Sequence, residues 1–379
     1  MRVALVHNII APYRLEFFKH LSVENGVDLR VFFQSISETN REWDEERLLQ
    51  RIDFPYEILK GIQISFGTST IHFNPSLWTR LRKFKPEVII SASLSVATAL
   101  CSLYAQVFGS SLVIWWPGTL ETEKGISAFK RVWRRILIPR ATSFVTYSQA
   151  ASEYLKYMGV DEDQIFIAGN VTFDAREFHE QVEQAKDTTH QLLDSLDLPG
   201  RRILLSVGQF IPRKNHFTVL EVFQRLTEEL DDLALVIVGE GPLREQFISR
   251  IDASDFTNVR VPGHVEPDEL VRYYASADVF LHLTIQDHWS QVVGEAMSAE
   301  LPLIVSNKDH ASEMIQTGKS GFIVEPLDVD GVTRICRKLL IDPSFASEIG
   351  REALYAVTEM DINRSLQAFI ECIRRSVGL

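Results

Sequence analysis

Short apolar runs alternate with longer amphipathic stretches along this chain, and that alternation leaves few folds open. In the first half the runs cover residues 3–6, 29–33, 88–92, 112–116, 143–147 and 165–168. In the second they cover 203–207, 234–238, 259–261, 279–283, 303–306 and 322–324, and 216–230, 241–251, 268–276, 290–300 and 332–341 read as helices. A short run without polar alternation suits a strand covered on both faces, and strands that alternate with helices assemble into parallel sheets. The pattern occurs on both sides of residues 196–202, LDLPGRR, which supply Pro, Gly and charge. The reading is an α/β chain of two doubly wound domains, 1–197 and 198–355. Residues 356–379 then form a C-terminal helix that could cross back to the N-terminal domain.

A chain of 379 residues, 45% hydrophobic and 24% charged, can bury two such cores. Its formal charge of −12 argues against general nucleic-acid binding, which needs an excess of cations over phosphates. Residues 1–185 hold 20 basic and 21 acidic side chains, so the remaining 19 and 30 carry nearly all the excess. Cys101, Cys336 and Cys372 are scattered, which suggests no disulfide framework and a reducing, cytoplasmic setting. The start, MRVALVHNIIAPYR, has too short an apolar run for a signal peptide. No charged residue occurs between Glu87 and Glu121, but serines and Gly109 interrupt the segment. It reads as a buried strand–helix–strand unit rather than a membrane span.

Open α/β sheets bind ligands beyond the carboxyl ends of their strands. Four strand exits in the second half carry glycine, cations and carboxylates: 208–214, 239–242, 284–295 and 307–313. Arg213 and Lys214, just before a helix, suit a phosphate, because the helix end offers free N–H groups and lysine adds a point charge. Gly239-Glu240-Gly241-Pro242 allows close ligand approach, with Pro242 expected at the first helical position. Asp287 and Glu295, in a loop and in the following helix, could hold two ends of an extended polyhydroxylated ligand. The histidines, among them His7, His264, His282, His288 and His310, form no ligand set, and neither 161–163 nor 328–330 reads as a metal site, so no metal is expected. Nor is there a GxGxxG dinucleotide turn or a GxSxG nucleophile elbow.

The blocks VGQFIPRKN (207–215), LVIVGEGPLRE (235–245), VRVPGHVEPDELVRYYASADVFLHLT (259–284), DHWSQVVGEAM (287–297) and LPLIVSNKDHASEMI (301–315) resemble, in order, those of the family 4 retaining glycosyltransferases. FKPEVII (84–90), TSFVTYSQAASEYLKYMGV (142–160) and QIFIAGNVTFD (164–174) resemble it more loosely. The resemblance implies the GT-B fold, two Rossmann-like domains facing across a cleft, with a donor sugar nucleotide on the C-terminal domain and the acceptor mainly on the N-terminal one. The nucleotide sugar would be a substrate, with no resident cofactor.

By position, the resemblance implies that Lys214 meets the donor diphosphate, Glu295 the ribose and Asp287 the donor sugar, and these three are the catalytic candidates. It puts Gln209, Arg213, Glu240, Gly241, Val261 and His264 on the donor side, with His288, Trp289, Ser290 and Gln291. Pro12, Tyr13, Arg14 and Trp116 fall on the first-loop or acceptor side. Four positions depart from the family pattern. Asp287 stands for a glutamate, His288-Trp289-Ser290 for Gly-Phe-Gly, Gln209 for an arginine that Arg213 could replace, and Pro12-Tyr13-Arg14 for a Gly-Gly turn.

The expected activity is metal-independent retaining transfer of a hexose-type sugar to a hydroxyl in polysaccharide or glycolipid assembly. A non-catalytic sugar-nucleotide-binding partner subunit stays open, as does a same-fold epimerase or hydrolase. Residues 130–140, KRVWRRILIPR, and 78–85, WTRLRKFK, mix cations with apolar side chains. They suggest peripheral attachment to an anionic membrane face, near a lipid-linked or saccharide acceptor.

Overall fold

The structure, a computed structural model, describes residues 1–38, 44–66, 69–254 and 256–379. Its first strands are β1 (Arg2–His7), β2 (Asp28–Phe33), β3 (Tyr56–Ile58), β4 (Ile62–Phe66), β5 (Ser69–Phe73), β6 (Val88–Ala92), β7 (Ser111–Trp116), β8 (Ser143–Thr146) and β9 (Ile165–Ile167). Then follow β10 (Arg202–Val207), β11 (Leu233–Val238), β12 (Val259–Gly263), β13 (Val279–His282), β14 (Leu303–Ser306) and β15 (Phe322–Val324). One sheet has the order β3-β2-β1-β6-β7-β8-β9 and another β12-β11-β10-β13-β14-β15. Both are parallel, while β4 and β5 form an antiparallel hairpin. In the first sheet the strand order reverses between β1 and β6, and in the second between β10 and β13. Such reversals open a crevice at the carboxyl ends of the two strands.

The chain divides into two compact units, Met1–Phe173 with Ile362–Leu379, and Asp174–Asp361. The division therefore falls after Phe173 and not at 197/198. Residues 196–202 are the turn between helix Thr189–Ser195 and β10, inside the second unit. Pro, Gly and charge mark a tight turn as readily as a linker, so composition alone could not separate the two. Asp174 instead caps helix Ala175–Ala185, accepting from the N–H groups of Arg176 and Glu177. Phe178 of that helix packs edge-on to Tyr274, 5.8 Å between centroids.

Burial explains the apolar runs. All six residues of β11 are buried, with Leu233, Leu235 and Ile237 on one face among Val219, Phe223 and Phe247. Residues 88–116 form β6, helix Val96–Phe108 and β7. That helix opens on a reciprocal Ser95–Thr98 capping box and closes at Gly109, whose φ of 74° needs no Cβ. Among the described residues no helix is long and apolar enough to cross a membrane. The last helix starts at Ile362, not 356, and lays Ile362, Leu366, Phe369 and Ile373 into the first unit's core. Phe369 lies 4.8 Å from the rings of Phe17 and Trp115.

Candidate functional site

Lys214 is placed by the loop after β10 and held by the loop after β13. The chain leaves β10 through a 3-10 turn, Pro212–Lys214, then takes a left-handed residue, Asn215 (φ 58°), before helix His216–Thr227. Asparagine tolerates that conformation better than most side chains do. Asn215 Nδ2 donates to Leu283 O (3.0 Å) and Thr284 Oγ1 to Arg213 O (2.7 Å), so the two exits are stapled together at the point of strand-order reversal. The Lys214 ammonium is thereby buried and donates to Asp287 Oδ2 (2.8 Å) and Ser290 Oγ (3.0 Å). Arg213, partly exposed, grips the same Asp287 oxygen.

Burial pushes the Asp287 carboxyl up, but Lys214 and Arg213 together outweigh it and hold its pKa well below the usual carboxylate range. Its backbone N–H donates to Lys308 O (3.0 Å), which ties it to the exit of β14.

Behind this cluster runs a buried polar chain. His282 Nε2 lies 3.1 Å from both Ser290 Oγ and Asp309 Oδ2, and Asp309 Oδ1 accepts from the N–H groups of Ser290 (3.1 Å) and Ala311 (2.9 Å). Asp309 is fully buried; burial raises its pKa, but the hydrogen bond from His282, with Lys214 nearby, leaves it lowered. Burial, then Lys214, lowers that of His282. We take the pair as a neutral imidazole with its proton on Nε2, since an ionised carboxylate only accepts. Asp309 and His282 were not among the sequence candidates. The signal was Asp309 within the flagged exit 307–313, and a buried polar residue on each of two neighbouring strand exits.

Glu295, on helix Gln291–Ser298, is not part of that cluster. Tyr274 donates its hydroxyl to Glu295 Oε2 (2.7 Å), and burial raises the carboxyl's pKa while that hydrogen bond lowers it. Tyr274 lies in helix Pro267–Ala275 and was also missed: a tyrosine on an amphipathic helix reads as core.

Gly239 and Gly241 do require glycine. Their φ values are 152° and 150°, and a Cβ would come within 2.0 Å of Gly208 O and 2.7 Å of Phe210 O. The exits of β10 and β11 thus touch backbone to backbone, with Gln209 between the two contacts. Pro242 lies in the turn that follows and not at the helix start, which comes at Arg244. Glu240 pairs with Arg244 (3.4 Å), whose guanidinium also donates to Val261 O (3.0 Å). His264, exposed, faces Glu266 (3.4 Å). His288 donates its N–H to Asp287 Oδ1 (2.9 Å), Trp289 and Ser290 are buried, and Gln291 opens the helix.

In the first unit Pro12–Arg14 is a 3-10 turn after β1, with Tyr13 exposed and Arg14 buried against Trp115. Trp116 points to the other face of β7, into the core, stacked on Tyr154 at 5.7 Å. Asp328 of the 328–330 pair caps helix Val329–Ile341. One group of metal-type side chains, His179, Glu183 and Glu300, comes together among the described residues, at the helix end that leads into the start of β14.

Residues 192–354 match the family described as glycosyl transferases group 1. A 2-deoxystreptamine N-acetyl-D-glucosaminyltransferase of Niallia circulans is 25% identical over 154 residues, 40% of either chain. A GDP-mannose-dependent alpha-(1-6)-phosphatidylinositol monomannoside mannosyltransferase of Mycobacterium tuberculosis (strain CDC 1551 / Oshkosh) is 32% identical over 161 residues, 40% of this chain and 42% of the relative. The matched stretch thus spans about two fifths of these curated relatives. Over 99% of this chain and all of the other, the fold follows that of Anabaena Alr3699/HepE, solved in complex with UDP, with TM-score 0.79 and 16% identity. Residues 192–354 are thus similar to the group 1 glycosyl transferases, and the fold of the whole chain is GT-B, two units each built on a parallel sheet.

Proposed function

We propose that this protein is a retaining glycosyltransferase that moves a sugar from a nucleoside diphosphate to a hydroxyl of a saccharide or lipid-linked acceptor, without a metal. The observation that carries the reading is the pair of cations, Lys214 and Arg213, fixed on one point at the reversal of strand order. In transfer, negative charge grows on the departing diphosphate, and preorganised cations beside it lower the barrier because they need no reorganisation. Lys214 is such a group: buried, with two hydrogen bonds that fix its direction. Glu295, oriented by Tyr274, serves the ribose hydroxyls, since a carboxylate accepts from two neighbouring hydroxyl groups. Asp287 faces the sugar. Retention follows if the acceptor attacks on the leaving-group face, with a donor phosphate oxygen taking its proton, so no protein base is assigned.

Attachment to an anionic membrane face is part of the proposal. Helix Ala128–Leu137 turns Leu137 inward but leaves Phe129, Val132 and Ile136 exposed on a helical stripe beside Lys130, Arg131 and Arg135. The test of the activity is diphosphate release from a panel of nucleoside diphosphate sugars with and without candidate acceptors. Release that requires acceptor, with the anomeric configuration kept in the product, is expected. Release without acceptor would make the protein a hydrolase, and binding without release a partner subunit.

A further inference from the structure

Arg14 ends the turn after β1, the strand at which the first sheet reverses its order, and is 3% exposed. Its guanidinium carbon lies 4.0 Å from the Trp115 ring centroid, and NH2 donates to the Tyr147 hydroxyl at 2.6 Å. The other two nitrogens, Nε and NH1, are buried and meet no protein acceptor, and the indole Nε1 of Trp115 is in the same position. Three donors thus collect with no acceptor among them. Nor does the protein supply a counter-charge: among the described residues Arg14 forms no ion pair. His7 beside it is neutral, its pKa pushed down to about 3 by burial and then by Arg14 itself. Tyr147 is also neutral, its phenol pushed up by burial.

Arginine cannot shed its proton to escape this setting, and water would satisfy an N–H without neutralising the charge. The Trp115 face returns only part of the cost of burial. A buried, unpaired guanidinium at the ligand end of a parallel strand is what an anion-binding residue looks like before its anion arrives.

We infer that Arg14, with the Trp115 indole N–H, recognises an oxyanionic group, a phosphate or a carboxylate, on a substrate of this protein. The acceptor is the source we assign, because the cations at the exit of β10 already serve the diphosphate. That assignment rests on the proposed transferase reading; the anion site itself does not.

Thermal unfolding in rising inorganic phosphate, at constant ionic strength, tests the site. Lys214→Ala serves as the background, to remove the buried cation of the proposed diphosphate site, where Arg213 stays paired with Asp287. Saturable stabilisation is expected there and should vanish in Lys214→Ala/Arg14→Met. Without phosphate, Arg14→Met should melt no lower than wild type, since an apolar side chain of similar length replaces an unpaired buried charge. A phosphate response that survives the loss of Arg14 would overturn the inference, as would its absence in Lys214→Ala. So would an Arg14→Met protein that melts lower at every phosphate concentration, which would make Arg14 a structural cation. Should Arg14→Met not fold, arginine Nε–H exchange in wild type decides: slowing of one resonance on adding phosphate supports the site, and no change overturns it. Affinity for UDP and GDP separates the sources. Wild-type affinity in Arg14→Met puts the group on the acceptor, and a loss of about tenfold gives it to the donor. None of these readouts requires transfer, so a failed activity assay leaves the anion site standing or falling by itself.

Discussion

The Lys214 ammonium lies 2.8 Å from Oδ2 of Asp287, the same oxygen that Arg213 grips. The proposed diphosphate site therefore already holds an anion of the protein's own. A diphosphate must draw both cations away from Asp287 or share them with it. Asp287→Asn removes the competing charge, so it should bind UDP or GDP more tightly, by about fivefold, an effect of roughly 1 kcal/mol. Its transfer rate should nevertheless fall, because Asp287 is also the proposed contact to the sugar. Calorimetric titration of nucleoside diphosphate, set beside turnover, checks both halves; weaker nucleotide binding would show that Asp287 is not a competitor.

Lys214→Ala should also slow the chemical step, without the gain in nucleotide affinity. Arg213 still pairs Asp287 in that variant, so the fold should hold. What is lost is the buried cation, and one preorganised charge at a leaving group is worth ~100-fold in turnover. Unchanged turnover would remove Lys214 from the site. Glu295→Gln should lose nucleotide affinity instead, with little loss of stability, because burial raises the cost of the ionised carboxyl.

The Asp309–His282–Ser290 chain makes a claim about positioning and about pH. Asp309 has a depressed pKa when folded, so its contribution to stability is present above the unfolded carboxylate value and is lost as pH falls through the folded one. Asp309→Asn should cost roughly 1–3 kcal/mol at neutral pH through a mispaired buried network. It should also flatten the acid limb of a urea-midpoint profile. An unchanged acid limb would mean that Asp309 is already protonated near neutrality.

His216 gives the opposite group type with the same sign. Burial pushes its pKa down to about 4, while Nε2 lies 3.1 Å from Gly208 O. Between that value and 6.5 the unfolded chain binds a proton that the folded chain refuses, so stability falls as pH falls across this window. The loss amounts to about 3 kcal/mol at its acid end. His216→Gln keeps a donor for Gly208 and should remove that part of the slope. Parallel slopes for wild type and variant between pH 6.5 and 4.5 would show that His216 is not the group responsible.

The central strands of both sheets were legible in the sequence because they are buried on both faces and so read as unbroken apolar runs, β11 most plainly; the partly exposed edge strand β3 gave no such run. The unit boundary was not, since LDLPGRR has the composition of any tight turn. At the site, Lys214, Asp287 and Glu295 could be found as charges at strand exits, but their partners could not. That Asp287 spends its charge on Lys214, while Glu295 takes a tyrosine hydroxyl, depends on loops brought together by the strand order β10-β13-β14, which no local pattern encodes. His282 and Asp309 are 27 positions apart and meet only because β13 and β14 are neighbours.

Helix Ala128–Leu137 supplies the last prediction. Phe129 is 72% exposed, Val132 54% and Ile136 43%, while Trp133 turns back and donates its indole N–H to Leu94 O at 3.0 Å. The apolar residues of this helix thus divide between two faces, and only one of them serves the core. Three exposed apolar side chains flanked by Lys130, Arg131 and Arg135 suit an interfacial helix, each cation adding about 1 kcal/mol at an anionic surface. The protein should sediment with anionic vesicles at low salt, release as salt rises, and ignore neutral vesicles. Phe129→Ser and Ile136→Ser should weaken binding without lowering the melting temperature, since neither side chain is buried. Equal sedimentation with neutral and anionic vesicles would remove the electrostatic part of the proposal. A fall in melting temperature would return these residues to the fold.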